Sequence, residues 1–153
     1  MSRVMRTFSS STPIAAPQAV AWEVMTDHEL YARWVPRCRV ELETEGSPDR
    51  NGVGAVRVFR TGPVSTSEEI TAFDPPHRMA YRILSIPLPV RNCRSEMLLV
   101  EGEQAGSCTL HWDSWFEPVI PFTGGIIGKV MASAVEKMAA GIATEAQGRA
   151  QSV

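Results

Sequence analysis

The segment GGIIGKVMASAVEKMAAGIATEAQG, residues 124–148, carries the strongest constraint on the fold. Its apolar residues recur every three or four positions, which predicts a long C-terminal helix. One stripe of this helix holds Ile127, Val130 or Met131, Ala134, Met138 and Ile142, and the charged residues lie elsewhere. A helix with so broad an apolar face must bury it against another layer.

The residues before this helix have a period of two, which is typical of strands that expose one face. Candidate strands cover 38–45, 53–61, 65–73, 77–86, 92–101 and 107–117, and short stretches rich in Gly, Pro, Asp and Asn separate them. Connections this short join antiparallel neighbours. The pattern therefore predicts an antiparallel meander that the terminal helix covers.

A strand and two short helices are predicted before the meander. Alternation near the start indicates a first strand at about 3–11. In TPIAAPQAVAWEVMTDHELYARWVP, residues 12–36, Pro17 suits a first helical turn, Asp27 and His28 interrupt the helix, and Pro36 ends its continuation. The prediction is a single α+β domain over residues 1–153, in which a seven-stranded antiparallel sheet leaves a space beneath the long helix.

The composition argues against several classes of partner. The net charge of −2, without a run of like charge, gives no attraction for nucleic acid. The apolar stretch from Pro118 to Gly128 is too short and too rich in glycine for membrane insertion. Three cysteines without a C-x-x-C pair favour free thiols and a cytoplasmic location. No G-x-G-x-x-G or P-loop motif is present, so we expect no cofactor.

The segment HWDSWFEP, residues 111–118, contains the three groups of a hydrolase triad. On a strand, however, His111 and Asp113 share one face while Ser114 lies on the other, which excludes a serine–histidine bond within the strand. His-x-Asp could supply two metal ligands, but a third is missing nearby, and we expect no metal site. The interior face then consists of Leu110, Trp112, Ser114 and Phe116.

The turn at Gly62 and Pro63 sets the register of one hairpin. Pairing Thr61 with Val64 places Arg57 opposite Glu68, and both then share the inward face of Phe59 and Ile70. Two interpretations remain open. The pair is either an ordinary cross-strand ion pair at the sheet margin or a polar anchor for the head group of a ligand.

Other inward positions complete the predicted cavity lining. Tyr81 shares a face with Met79 and Ile83, and Trp34 is expected to cap one end of the space. The full set of predicted ligand-binding residues is Trp34, Arg57, Phe59, Glu68, Ile70, Met79, Tyr81, Ile83, Met97, Leu99, Leu110, Trp112, Ser114, Ile127, Met131 and Met138.

The order of these elements resembles the SRPBCC superfamily, also called START-like or Bet v 1-like, and within it the polyketide cyclase/dehydrase group. The resemblance rests on residues 12–36, on GVGAVRVF, SEEITAFDPPHRMAYRI and GSCTLHWDSWFEP, and on the closing helix, and it covers about 3–148. It implies the helix-grip fold, in which a curved sheet wraps the terminal helix around an apolar cavity. Members bind lipids, sterols, polyketides, quinones or hormones, and a minority are enzymes.

Three functions follow as hypotheses. The first is binding of a small hydrophobic ligand that is lipid-like, polyketide-like or quinone-like. The alternative is a polyketide cyclase or dehydratase in which Glu68 is the base while Arg57 and Tyr81 stabilise an enolate. The third is a protein-interaction module with an exposed apolar patch around Trp115 on the outer face. Monomer and homodimer are both compatible with the sequence.

Overall fold

The computed structural model describes residues 4–152, which form a seven-stranded sheet, three α-helices and one 3₁₀ turn. The strands are β1 Arg6–Ile14, β2 Cys38–Thr44, β3 Val56–Thr61, β4 Val64–Asp74, β5 Arg78–Ser85, β6 Val90–Glu101 and β7 Cys108–Pro118. The helices are α1 Gln18–Thr26, α2 Tyr31–Trp34 and α3 Gly124–Gln151, and the 3₁₀ turn His28–Leu30 connects α1 to α2.

The sheet is antiparallel throughout, with the order β1-β7-β6-β5-β4-β3-β2, so β1 and β2 form its edges. Register shifts in the β2–β3, β4–β5 and β6–β7 pairs mark bulges. Bulges bend a strand and increase its twist, which accounts for the curvature of this sheet around α3. The predicted α+β class and the helix-grip arrangement are confirmed.

Both short helices end where the sequence predicts, but residues 28–34, predicted as one short helix, form a 3₁₀ turn followed by α2. Pro17 is the extended residue before α1, and Asp27 is extended again after it. The Asp27 carboxylate accepts a hydrogen bond from the backbone N–H of Glu29, which starts the 3₁₀ turn. Val35 is extended because it precedes Pro36, and α2 therefore ends at Trp34. None of the helices in residues 4–152 has the length and apolar character that a membrane span requires.

One end of the inner sheet face forms the main core. There Met79, Met97, Leu99 and Leu110 are buried beneath α1 and the C-terminal half of α3. Their partners from the helices include Val24, Met25, Ile142 and Ala146. A smaller cluster at the other end joins Cys93 and Phe116 to Ile127 near the start of α3. The long helix thus contacts the sheet at both of its ends.

The structure corrects three details. The first strand lies at Arg6–Ile14 rather than about 3–11, and residue 3 is outside the described residues. Pro13 is accommodated because β1 is an edge strand. Residues 53–55 precede β3, and residues 53 and 54 belong to a turn in which Gly54 has a φ of 89°. Val130 is exposed, and Val135 and Ala139 are the buried residues in the middle of α3.

Gly141 allows α3 to approach α2 closely. A Cβ atom at this position would overlap the indole ring of Trp34, which packs edge-on against Tyr31 with ring centroids 5.0 Å apart. Gly148 lies on the same helix, and a Cβ atom there would meet no neighbouring atom within 4 Å. Alanine substitutions at these two glycines therefore separate the effect of close packing on stability from the effect of helix propensity.

We predict opposite effects for alanine at these two positions. Gly148→Ala should raise the free energy of unfolding by up to about 1 kcal/mol, because alanine is the better helix former. Gly141→Ala should lower it by about 1–3 kcal/mol, because the methyl group displaces the Trp34 ring. Urea unfolding followed by tryptophan fluorescence measures both. Equal stabilisation in the two variants would contradict the close contact.

Candidate functional site

The inner face of the sheet and the N-terminal half of α3 enclose a cavity of about 240 Å³. The helix contributes Met131, Ala134, Val135 and Met138 to its wall, and aromatic rings from β1, α2, β3, β5 and β7 supply much of the rest. The more exposed lining residues, Val64, Ser65, Arg94 and Ala134, mark its opening. A groove between Pro36 and Lys129 adjoins this opening and shares Val35 and Ala134 with the cavity.

An ion pair lies in the wall of the cavity. Arg57 and Glu68 face each other across β3 and β4, which is the register that the turn at Gly62 predicts. Gly62 has a φ of 60°, a conformation that glycine adopts without strain. The Arg57 Nη2 donates a hydrogen bond to Glu68 Oε1, and only 3% and 7% of the two side chains are exposed. This pair is therefore inside the protein and not at a solvated sheet margin.

Aromatic rings surround the guanidinium. The Arg57 Cζ lies 5.5 Å from the ring centroid of Tyr31, 5.8 Å from that of Phe59 and 6.0 Å from that of Tyr81. Arg57 Nε is buried and has no hydrogen-bond partner among residues 4–152. Contacts with the electron-rich ring faces partly replace the lost hydration of the cation.

Burial and the ion pair control the protonation of this group. Burial alone lowers the pKa of Arg57, but the charge of Glu68 and the hydrogen bond to it raise the pKa above its usual value. Burial also raises the pKa of the Tyr31 and Tyr81 phenols well above the usual value, with a further increase at Tyr81 from the charge of Glu68. Both phenols therefore stay protonated near neutral pH, and Tyr31 Oη donates its proton to the backbone carbonyl of Met25 at 2.6 Å.

A second polar group follows the same inner face. Ser95 and Ser114 are paired across β6 and β7, and their Oγ atoms are 2.7 Å apart. Trp112 Nε1 donates to Tyr81 Oη at 3.2 Å, and Tyr81 lies opposite Ser95 on the neighbouring strand. These four side chains are buried and line the cavity. The wall thus combines one ion pair with a chain of neutral hydrogen-bonding groups.

Part of the predicted lining set faces the cavity. These residues are Arg57, Phe59, Glu68, Tyr81, Ile83, Trp112, Ser114, Met131 and Met138. Their positions agree with the strand parity and the helical stripe from which they were predicted.

The remaining predicted residues lie elsewhere. Ile70, Met79, Met97, Leu99 and Leu110 are core residues, and Ile127 belongs to the smaller cluster with Phe116. Trp34 packs over Gly141 and lines the adjoining groove. Parity identifies the inward face of a strand, but it does not indicate how far along that face α1 covers the sheet. The predicted strand residues therefore point inward, but they are packed in the core and do not face the cavity.

Several lining residues were not predicted. Tyr31 is one helical turn before Trp34, so the same spacing argument could have identified it. Cys93 and Ser95 have the parity of Met97 on β6 and could have been found in that way. Thr61 and Val64 to Thr66 are strand residues on either side of the turn at Gly62 and Pro63, and Thr61 and Thr66 share the parity of Phe59 and Glu68. The other residues of this kind are Phe8, Val35, Cys38, Ile86, Arg94, Trp115, Ala134 and Val135.

Neither a triad nor a nucleophilic thiol emerges from these residues. His111 and Asp113 are half-buried on the outer face, where His111 Nδ1 lies 3.3 Å from Ser11 Oγ, whereas Ser114 faces inward as predicted. Burial raises the pKa of the Cys93 thiol to about 11, so it lines the cavity as an uncharged group. Residues 4–152 contain no cluster of three or more His, Cys, Asp or Glu side chains able to hold a metal.

The predicted apolar patch around Trp115 is wrong. Trp115 is half-buried, and the guanidinium of Arg94 lies over its ring, 5.2 Å from the centroid. Exposed apolar side chains occur instead before and along the start of α3, at Val119, Ile120, Phe122, Ile126 and Val130.

Comparison with known structures shows the same fold in several proteins. A protein from Thermobifida fusca is 26% identical over 84% of both chains, with a TM-score of 0.69. A START superfamily protein from Mycobacterium smegmatis is 14% identical, covers 95% of this chain and 97% of its own, and gives a TM-score of 0.74. Norcoclaurine synthase from Thalictrum flavum is 16% identical. The match covers 93% of this chain and 86% of the synthase chain, and its TM-score is also 0.74. No curated protein matches the sequence.

A family described as "Polyketide cyclase / dehydrase and lipid transport" matches residues 5–147, which is nearly the whole chain. Its fold is that of the START-like neighbours. The predicted resemblance is confirmed, and the chain belongs to the polyketide cyclase/dehydrase and lipid transport family of the SRPBCC, or START-like, superfamily.

Proposed function

We propose that the protein binds a small hydrophobic ligand in the cavity between the sheet and α3. The observation that carries this proposal is the combination of a largely apolar cavity with a buried ion pair in its wall. Ligand sites in proteins are typically apolar pockets with a few polar groups that fix orientation. The Arg57–Glu68 pair and the Ser95–Ser114 pair are such groups here.

Energetics favours a role for the ion pair beyond stability. Removing two charges from water is costly, and a buried pair contributes less to stability than apolar residues of similar volume often do. Arg57 and Glu68 are nearly fully buried, so this cost applies to them, whereas it does not apply to the exposed Arg82–Glu69 pair next to them. A ligand whose polar end contacts Arg57 or Glu68 would give the pair a function.

The family and the fold neighbours support the same class of ligand. The family description includes both polyketide enzymes and lipid transport. Norcoclaurine synthase was solved in complex with dopamine and hydroxybenzaldehyde, so this fold accommodates small aromatic molecules in that protein. Lipid-like, polyketide-like and quinone-like molecules all meet the requirements of the cavity.

A second candidate function is a cyclase or dehydratase acting on a polyketide-like ketone. Glu68, Arg57 and the phenols of Tyr31 and Tyr81 all line one cavity. In this reaction Glu68 would remove the proton α to the carbonyl, and Tyr81 with Arg57 would stabilise the enolate oxygen. The Tyr81 phenol favours this candidate because burial raises its pKa and keeps it protonated, whereas the Tyr31 phenol already donates to the backbone carbonyl of Met25 at 2.6 Å.

Ligand binding can be tested by narrowing the cavity. Ala134→Phe should weaken binding of the neutral dye Nile red at least tenfold, because residue 134 lines the cavity. Ala140→Phe places the same side chain at an exposed position of α3 and should leave binding within about twofold of wild type. Fluorescence titration measures both affinities. Equal binding by the two variants, or a wild-type protein that binds no apolar probe, would contradict the proposal.

Replacing Glu68 tests whether the ion pair is catalytic. Glu68→Gln should lower the free energy of unfolding by about 3–5 kcal/mol, because it leaves the Arg57 charge buried without its counterion. Glu69→Gln breaks an exposed pair and should change stability by less than about 1 kcal/mol. If the protein is a carrier, Glu68→Gln keeps its affinity for apolar probes. An enzyme would lose turnover of a ketone substrate.

A double variant covers the case in which Glu68→Gln fails to fold. Arg57→Met with Glu68→Leu removes both charges and should recover most of the lost stability, since no unpaired charge remains. Chemical unfolding and Nile red binding are measured as before. If the double variant is as unstable as Glu68→Gln, the unpaired charge of Arg57 is not the reason why Glu68→Gln loses stability.

A further inference from the structure

We propose that the edge strand β2 is a self-complementary interaction surface, at which two copies of this chain pair antiparallel to each other with Val40 at the centre. The surface consists of residues 38–42, with the sequence CRVEL. An open strand edge is a template for pairing with another chain. The pairing requires no ligand, so this inference goes beyond the proposed ligand-binding function and does not depend on it.

One side of β2 has no strand beside it within residues 4–152, because β2 is the last strand of the sheet. The two-residue loop at Gly62 and Pro63 makes Thr61 and Val64 a hydrogen-bonded pair of β3 and β4. Backbone groups alternate in direction along a strand, so the preceding residue, Arg60, directs its N–H and C=O to β2 instead. Every second residue of β3 therefore bonds to β2.

This alternation determines which backbone groups of β2 lie at the open edge. Arg39 is the partner of Arg60, so its N–H and C=O face β3. The backbone groups of Val40 and Leu42 then face away from the sheet. Cys38 has the same orientation, and its N–H donates to the backbone just after α2 at 3.3 Å. Within residues 4–152, neither Val40 nor Leu42 forms a backbone hydrogen bond outside the sheet.

Charge selects one register for the pairing of two such edges. With Val40 at the centre, Arg39 of each copy lies opposite Glu41 of the other, so opposite charges meet twice. With Arg39 or Glu41 at the centre, two like charges lie directly opposite each other, which is destabilising. With Leu42 at the centre, Glu41 lies opposite Glu43. The register centred on Val40 therefore pairs opposite charges without opposing like ones.

The side chains of β2 fit this register on both faces of the sheet. On the outer face Arg39 is exposed, lies opposite Arg60 and has no ion-pair partner within residues 4–152, whereas Glu41 accepts a hydrogen bond from Arg60 at 3.2 Å. Pairing gives each Arg39 a carboxylate that its own chain does not supply. On the inner face Val40 and Leu42 are half-buried against the core, and pairing covers them further.

The register also satisfies the outward backbone groups. Val40 N–H of each copy donates to Val40 C=O of the other, and Leu42 N–H donates to Cys38 C=O. The bulge between Leu42 and Thr44 bends the strand and ends the pairing there. The interface is two-fold symmetric and smaller than those of permanent dimers, so we expect a reversible dimer that forms in the upper micromolar range.

Sedimentation velocity from about 5 μM to about 1 mM tests the pairing. Wild type should approach twice the chain mass of 16.8 kDa with rising concentration. Arg39→Glu places acidic groups opposite each other at both symmetric positions and should weaken the dimer at least about tenfold. Arg39→Glu combined with Glu41→Arg restores opposite charges and should bring the affinity back to within about threefold of wild type. The control Thr7→Glu, at an exposed position of the other edge strand, should leave it unchanged.

Amide hydrogen exchange reads the register directly. The amides of Val40 and Leu42 should exchange quickly in dilute wild type and more slowly at high concentration, because they donate to the second copy. Val40→Pro removes one of these donors without removing a bond to β3, and edge strands tolerate proline. This variant should stay folded, as measured by chemical unfolding, and should not dimerise.

Three results would overturn the inference. They are a wild type that stays monomeric at about 1 mM, a dimer that Arg39→Glu does not weaken, and Val40 and Leu42 amides whose exchange does not depend on concentration. A dimer insensitive to Arg39→Glu would assign self-association to another surface, such as the exposed apolar residues around Phe122. None of these measurements uses a ligand, so Nile red binding tests the proposed function separately.

Discussion

The ion pair between Arg57 and Glu68 is the interaction on which the rest of the site depends. It requires β3 and β4 to be paired in one register, because a shift of one residue would turn both side chains to the outer face. The short turn at Gly62 sets that register, and Tyr31, Phe59 and Tyr81 surround the guanidinium. Once both charges are buried together they neutralise each other, and the other charged lining residue, Arg94, is exposed at the opening.

The inner face of the sheet is divided by how far the helices reach along it. Met79, Met97 and Leu110 lie under α1 and the C-terminal half of α3, and they form a close-packed core. One step along the same strands, Tyr81, Ser95 and Ser114 face open space instead. The change from methionine and leucine to hydroxyl groups occurs where the cover ends. The buried hydroxyls of Ser95 and Ser114 are tolerated here because they are hydrogen-bonded to each other.

Much of the fold followed from the sequence because each signal was local. Period-two alternation, the turns and the long amphipathic helix identified the sheet and α3, and the turn at Gly62 gave the register of Arg57 and Glu68. The site was only partly predictable, because its limits are set by tertiary packing. No pattern shows that Ile70 belongs to the closed core, or that the bulge near Asn92, with a φ of 51°, bends β6 at the cavity. Tyr31 was missed since its role depends on a contact with Arg57 from a distant strand.

The arrangement of Glu68 bears on the choice between a carrier and an enzyme. A general base must have a free oxygen within reach of the proton that it removes. One oxygen of Glu68 is engaged by Arg57, and a base in this position would act against the attraction of the guanidinium. Holding a ligand imposes no such demand, because the pair can stay intact while the ligand fills the apolar part of the cavity. The geometry therefore favours a carrier, and catalysis at this site would require the substrate to compete with Arg57 for Glu68.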